Sequence, residues 1–185
     1  GVQFVDGLGR LLRLGGKVVK NAAGFDVPKF LTGSMGRFGF ITEATFKVFP
    51  RPESYLTLRL NIRDVESAVQ IMNASGRARW ELDALDILPD QSSLALRLAG
   101  PVSGISAIAE EILARWPGKQ LDDDSATATW NDLREFRWTQ SDSALVKVPL
   151  IPSVVVRFIR ALSAVNGARA HVSAGGNVAF LSVGH

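Results

Sequence analysis

The sequence predicts an α+β chain in two parts, the second built on a mainly antiparallel sheet. Three observations predict it. Between residues 56 and 116 the hydrophobic period runs strand, helix, strand, strand, helix, the order of a ferredoxin-like unit. The run Pro50-Arg51-Pro52-Glu53 places two prolines where a strand must end, so the boundary falls between 1–52 and 53–185. The 185 residues are 46% hydrophobic and 21% charged, a balance that supports a buried core.

Taken in order, Val2 to Leu14 reads as two strands around the turn signal Asp6-Gly7, with Gly9 close by. Phe40 to Phe49 alternates, with apolar residues on both faces, and is expected to be a mostly covered strand. Leu56, Leu58, Leu60 and Ile62 alternate with polar residues as in a half-buried strand. Val65, Ala68, Val69 and Met72 follow at helical spacing behind Asp64, a candidate N-cap. Trp80–Leu88 and Leu94–Leu98 read as strands joined at Pro89-Asp90. Ile105, Ile108, Ala109, Ile112, Leu113 and Trp116 form the strongest helical stripe, with Ser103 as its start signal. Asp122-Asp123-Asp124-Ser125 is expected to be a solvated loop before a short helix around Trp130 and Leu133. Leu145–Pro149 reads as a strand, Pro152 as a helix N1 residue, and Val155, Phe158, Ile159 and Leu162 as that helix's apolar stripe. Ala168–Val172 and Asn177–Val183 form a final hairpin around Ala174-Gly175-Gly176. No repeat of fixed period is visible in the sequence.

Composition excludes several chemistries. With no cysteine there are no disulfides, thiolate nucleophiles or cysteine-ligated metals. The two histidines, His171 and His185, have no acidic neighbour at ligand spacing, so no metal site is expected. The net charge of +3 comes from basic residues spread along the chain, which argues against a polyanion-binding surface. The longest apolar runs are too short to span a bilayer.

The glycine-rich first part fits none of the common phosphate loops. Gly16-Lys17 is followed by Val18, which fails the P-loop pattern. Gly33, Gly36 and Gly39 have the wrong spacing for a dinucleotide fingerprint and lead into a strand. Phe38-Gly39-Phe40-Ile41 matches the middle of an RNA-recognition signature, but Gly36, Arg37 and Glu43 occupy its defining positions. A carboxylate at 43 repels phosphate, so a ferredoxin-like nucleic-acid-binding domain is the weaker alternative.

Residues 15–52 carry a more specific pattern. Lys20, Asn21, Ala23, Gly24 and Asp26 match K-N-x-A-G-Y-D-L. Gly33, Ser34, Gly36, Gly39, Ile41, Thr42, Glu43, Lys47, Pro50 and Pro52 match G-S-x-G-x-L-G-V-I-T-E-x-x-x-K-x-x-P-x-P. These motifs, at this separation, resemble the second half of the flavin domain of FAD-linked oxidases of the vanillyl-alcohol oxidase (PCMH) type. Within that family the likeness is to FAD-binding subunits of bacterial glycolate oxidases, and Trp130 to Phe136 is similar to their cap region. Phe25 replaces the usual tyrosine, Met35 a frequent glutamate, and Arg37-Phe38 a smaller pair.

The resemblance implies FAD as cofactor, with Met35, Gly36, Arg37, Phe38, Gly39, Phe40, Ile41, Asn21 and Gly24 along it. Bare backbone at Gly36 and Gly39 would let main-chain groups reach the ligand. It implies an oxidoreductase of small 2-hydroxy acids or, alternatively, a non-catalytic scaffolding subunit. Further subunits and a cytoplasmic location, peripheral at the inner membrane through them, are implied too. Residues 1–52 would be the C-terminal part of the flavin domain and 53–185 a cap incomplete at its C-terminus. The loop that grips the pyrophosphate lies upstream in this family, so the chain alone is expected to hold FAD weakly or not at all, and to self-associate. Asp26 reads as an N-cap, Glu43 as a partner for a basic residue, Arg157 and Arg160 as solvent-facing, and His171 as structural. Trp116, Trp130 and Trp138 read as cap core, and no catalytic residue is identified.

Overall fold

A computed structural model describes residues 1–16 and 25–184; Lys20, Asn21, Ala23, Gly24 and His185 lie outside the described residues. The chain divides into two compact units, Gly1–Arg51 and Pro52–His185, each with its own core.

The first unit is a small antiparallel sheet ordered β2-β1-β3, from β1 (Val2–Val5), β2 (Leu11–Leu14) and β3 (Phe40–Ala44), with the short helix α1 (Val27–Leu31). Alternation in β1 buries Val2 and Phe4 against Leu31 of α1, with Leu12 and Val27 packed around them. The β1–β2 turn is held by Asp6, whose carboxylate accepts from the amides of Leu8 and Arg10 and from the Arg10 guanidinium. Asp26 caps α1 by accepting from Lys29 N, as expected. Glu43 pairs with Arg13 at 2.9 Å.

Two expectations for β3 fail. The strand stops at Ala44, not Phe49, and every one of its residues is exposed, not covered. Among the described residues β3 pairs with β1 alone and no layer packs over it, so its apolar pattern reports a need for cover that this unit does not meet.

The second unit is a seven-stranded sheet ordered β7-β4-β6-β5-β9-β10-β8, in which every neighbouring pair is antiparallel. Its elements are β4 (Ser54–Asn61), α2 (Val65–Arg77), β5 (Leu82–Ile87), β6 (Ser93–Gly100), α3 (Val102–Arg115), β7 (Gly118–Gln120), α4 (Asp123–Arg134), β8 (Ser143–Pro149), α5 (Val155–Leu162), β9 (Arg169–Ser173) and β10 (Val178–Gly184). β4 to β7 with α2 and α3 is a ferredoxin-like unit, as the sequence predicts. Leu58, Leu60, Leu94, Leu96 and Leu98 share a core with Ile71 and Met72 of α2 and Ile105 and Ile112 of α3.

The structure also shows a repeat that the sequence hides. β8-α5-β9-β10 has the connectivity of β4-α2-β5-β6 and the same spatial order, first strand, third, second. Each copy offers its second strand to the other, and the two meet through one register pair, Ile87 with Val172. The copies share topology but little sequence, so no fixed period betrays them.

Local chemistry explains the remaining boundaries. Asp64 forms a capping box with Ser67, which starts α2 as expected. Ser103 does not start α3; the helix begins one residue earlier, behind Pro101, without a side-chain cap. Asp122-Asp123-Asp124-Ser125 is not a loop. Asp122 caps α4 by accepting from Ser125 N, and Asp123 and Asp124 sit in its first turn, where the helix dipole favours carboxylates. Pro152 opens a 3₁₀ turn at 152–154 ahead of α5, and Val155, Ile159 and Leu162 bury its stripe.

Hydrogen bonds and, at Asp6, the arginine beside it hold Asp6, Asp64 and Asp122 below the ordinary carboxylate value of 3.8. Their contribution to stability is therefore present above that value and lost as pH falls through the lowered ones. Thermal melts followed by circular dichroism should show stability falling below about pH 4. Asp64→Asn, which still caps, should have a shallower acid limb than the parent. Identical acid limbs would remove Asp64 from this account.

Candidate functional site

The ribbon between α1 and β3 is a chain of tight turns. Ser34 N donates to Leu31 O at 3.1 Å, Arg37 N to Ser34 O at 3.1 Å, and Gly39 N to Gly36 O at 3.4 Å. Met35 (φ 51°) and Gly36 (φ 77°) occupy the two central positions of a turn that demands positive φ at both. A Cβ on Gly36 would meet nothing within 4 Å, so open space lies over it.

Gly39 differs. A Cβ there would sit 2.6 Å from Val5 O and 2.8 Å from Phe4 Cδ2. Its bareness is required by the approach of β1, so its presence says nothing about a ligand. The rest of the ribbon is open: Met35, Gly36, Arg37, Phe38, Phe40 and Ile41 are all exposed, Met35 by 92% and Phe40 by 76%. Phe30 and Phe38 stack loosely with centroids 4.5 Å apart. Asn21 and Gly24, the other two residues expected beside the cofactor, lie outside the described residues.

A second cluster, which the sequence reading did not anticipate, lies in the other unit. The core leucines of β4 and β6 point to α2 and α3; Thr57, Arg97, Asp86, His171, Ser173 and Phe180 point to the opposite face. Asp86 is buried and accepts from His171 Nε2 at 2.8 Å, from Ser173 Oγ at 3.0 Å and from Ala174 N at 3.2 Å. Phe180 stacks on the His171 ring and Trp138 meets it edge-on. Among the described residues His171 Nδ1 has no hydrogen-bond partner. The expectation of a structural histidine thus gains a specific partner 85 residues away in sequence.

Arg97 shares that face. Its Nε donates to Asp83 at 2.5 Å, and its guanidinium lies 4.8 Å from the Trp130 ring and 5.5 Å from the Tyr55 ring. Trp130 is fixed in turn by donating Nε1–H to Thr57 Oγ1 at 3.0 Å. Arg97, Arg134, Asp83, Asp86, His171 and Ser173 border one cavity of about 520 Å³. α4 covers part of this face through Leu133, which packs on Leu88 and Ala95 with Trp130 and Trp138 beside it. These two tryptophans therefore belong to a small separate core, whereas Trp116 packs on the main one. The sequence signal was faint: Asp83 and Asp86 are the only charges in the strand Leu82–Ile87.

No family profile matches the sequence. The chain is 36% identical over 138 residues to glycolate oxidase subunit GlcE of Escherichia coli K12, covering 73% of this chain and 35% of that protein. It belongs to the FAD-linked oxidoreductases. Another relative, glycolate oxidase subunit GlcD of Bacillus subtilis, is 36% identical over 73 residues, 40% of this chain and 16% of that protein. Similarity extends to proteins described as D-2-hydroxyglutarate and D-lactate dehydrogenases and as FAD-linked oxidoreductases. A solved structure of alkyldihydroxyacetonephosphate synthase superposes on the whole chain with TM-score 0.60 and 17% identity, covering 44% of its own chain, and so shares the fold. The chain spans about a third of the length of the Escherichia coli relative. Among its described residues no group of three or more His, Cys, Asp or Glu could hold a metal, and no helix is long and apolar enough to cross a membrane.

Proposed function

We propose that the protein containing this chain is a FAD-dependent oxidoreductase of small 2-hydroxy acids, working with further subunits. In this reading residues 1–52 are the C-terminal part of the flavin domain and 53–185 its cap. The ribbon from Met35 to Ile41, with Asn21 and Gly24, lies along the FAD. One observation carries the assignment: Met35, Phe38, Phe40 and Ile41 leave the ribbon and the start of β3 with exposed apolar side chains, and open space lies over Gly36. Exposed apolar side chains around bare backbone fit the flat face of a large aromatic ligand.

When bound, FAD would supply a two-electron acceptor for the hydride of the substrate carbon, the hydride itself carrying both electrons. The chain's own residues provide the backing. The stacked turns 31–34, 34–37 and 36–39 fix the main-chain groups, and Gly39 locks the ribbon to β1, so its donors and acceptors are preorganised. Phe38, Phe40 and Ile41 are the exposed apolar side chains available here to exclude water from a ligand.

The test is flavin content. A polypeptide extended to the length of the relatives should purify yellow, whereas the 185-residue chain should retain little flavin. Phe38→Asp together with Ile41→Asp should remove flavin from the longer form and leave its circular dichroism unchanged, because neither side chain is buried. Full flavin occupancy in that double variant would overturn the placement. A longer form that holds flavin but needs a separate subunit for turnover would favour the scaffolding alternative, which the description of both relatives as subunits keeps in view.

A further inference from the structure

The cavity beside α4, on the sheet face opposite α2 and α3, has a polarity set by which of its groups are already engaged. Asp83 Oδ2 takes the Arg97 Nε–H, and Asp86 is filled by His171, Ser173 and Ala174, so among the described residues only Oδ1 of Asp83 is left open of these two carboxylates. Donors are open as well. Among the described residues Nη1 and Nη2 of Arg97 make no hydrogen bond, so the outer fork of that guanidinium is unused. Arg134 stands at the rim, partly engaged with Asn131 and Glu135.

Arg97 is also braced by its neighbours. The Asp83 contact fixes its inner nitrogen, and the Trp130 and Tyr55 rings flank its plane. A long flexible side chain ordinarily loses rotamer freedom when it binds. Here that loss has been incurred on folding. A planar fork with two parallel N–H donors matches a carboxylate, whose two oxygens lie at the same spacing.

We infer that this cavity binds the carboxylate of a small organic acid, with Arg97 as its bidentate anchor. The volume of about 520 Å³ admits a few-carbon acid and leaves room beside the Asp86–His171–Ser173 network for its remaining polar atoms. Arg97 acts here as a specificity determinant, favouring acids over the corresponding alcohols and amides. The inference deepens the proposed 2-hydroxy-acid chemistry, but its test needs no flavin.

The experiment is an NMR titration of the whole 185-residue chain with glycolate and D-lactate, following the Trp130 indole N–H and the Arg97 Nε–H signals. Ethylene glycol, acetate and sulfate serve as comparison ligands. The two hydroxy acids should give saturable shifts at both reporters. Ethylene glycol should give none, and sulfate should bind at least tenfold more weakly. Arg97→Gln should abolish the response. Arg97→Lys, which keeps the charge and leaves the leucine core untouched, should weaken it about tenfold by losing the fork. Equal binding of sulfate, or hydroxy-acid binding unchanged in Arg97→Lys, would overturn the proposal. Saturable binding in this chain, combined with a longer form that carries no flavin, would keep the anchor and discard the FAD reading. The reverse pair of results would do the opposite.

Discussion

Asp86→Ala should destabilise the second unit by about 3–5 kcal/mol, read as a shift in urea denaturation. The loss is large because three donors converge on one buried carboxylate: His171 Nε2, Ser173 Oγ and the Ala174 amide. Deleting the acceptor strands the buried His171 Nε2 and leaves the half-buried Ser173 hydroxyl and the Ala174 amide without their partner, and an unsatisfied buried donor costs about 1–3 kcal/mol. The site is also where the two βαββ copies meet through a single register pair, so these hydrogen bonds supplement a thin backbone seam. The double variant Asp86→Leu with His171→Leu should recover the part of the loss that comes from His171, while Ser173 Oγ and the Ala174 amide still lack their acceptor. A single Asp86→Ala variant within about 1 kcal/mol of the parent would show that water reaches the site and the network contributes little.

Gly39→Ala should unfold or severely loosen the first unit, at a cost of about 3 kcal/mol. The added methyl would lie 2.6 Å from Val5 O, which is backbone and cannot swing aside. Among its described residues that unit buries only Val2, Phe4 and Leu31 as apolar side chains, a small core to lose contacts from. Gly36→Ala has the same chemistry in open space and should cost only about 1 kcal/mol, from its positive φ. Hydrogen exchange of the Val2–Val5 amides separates the two: fast in Gly39→Ala, near the parent rate in Gly36→Ala. Equal rates would mean that β1 does not hold the ribbon. It also follows that lost flavin in a bulky Gly39 variant would say nothing about cofactor contact, whereas Phe38, which precedes β3 and is half exposed, can be changed without that clash.

What was legible in the sequence is what local chemistry governs. The capping box at Asp64, the stripe from Ile105 to Ile112 and the leucine alternation of β4 are short-range signals, and each gave its element correctly. α4 was underread because Asp123 to Thr129 offers a polar surface with almost no apolar stripe; its start is set by a cap and the dipole. β7 was missed because Gly118-Lys119-Gln120 has no hydrophobic period and joins β4 through backbone pairing alone. The exposure of β3 could not be read, since an alternating strand looks the same whether its cover is present or not.

The sites divide in the same way. The ribbon was found through likeness to known sequences, because the glycine spacing alone fits a turn equally well, and at Gly39 packing against β1 is the reason for the glycine. The cavity was invisible because Arg97, Asp86 and His171 come from three strands, and only the fold brings them to one face.

The lone Ile87–Val172 bridge has a mechanical consequence. Pulling between β4 and β8 loads every other seam of the sheet across several rungs, but this one across a single rung. Under such tension the plate should tear first along the β5–β9 line, leaving two intact halves that re-anneal when the load is released.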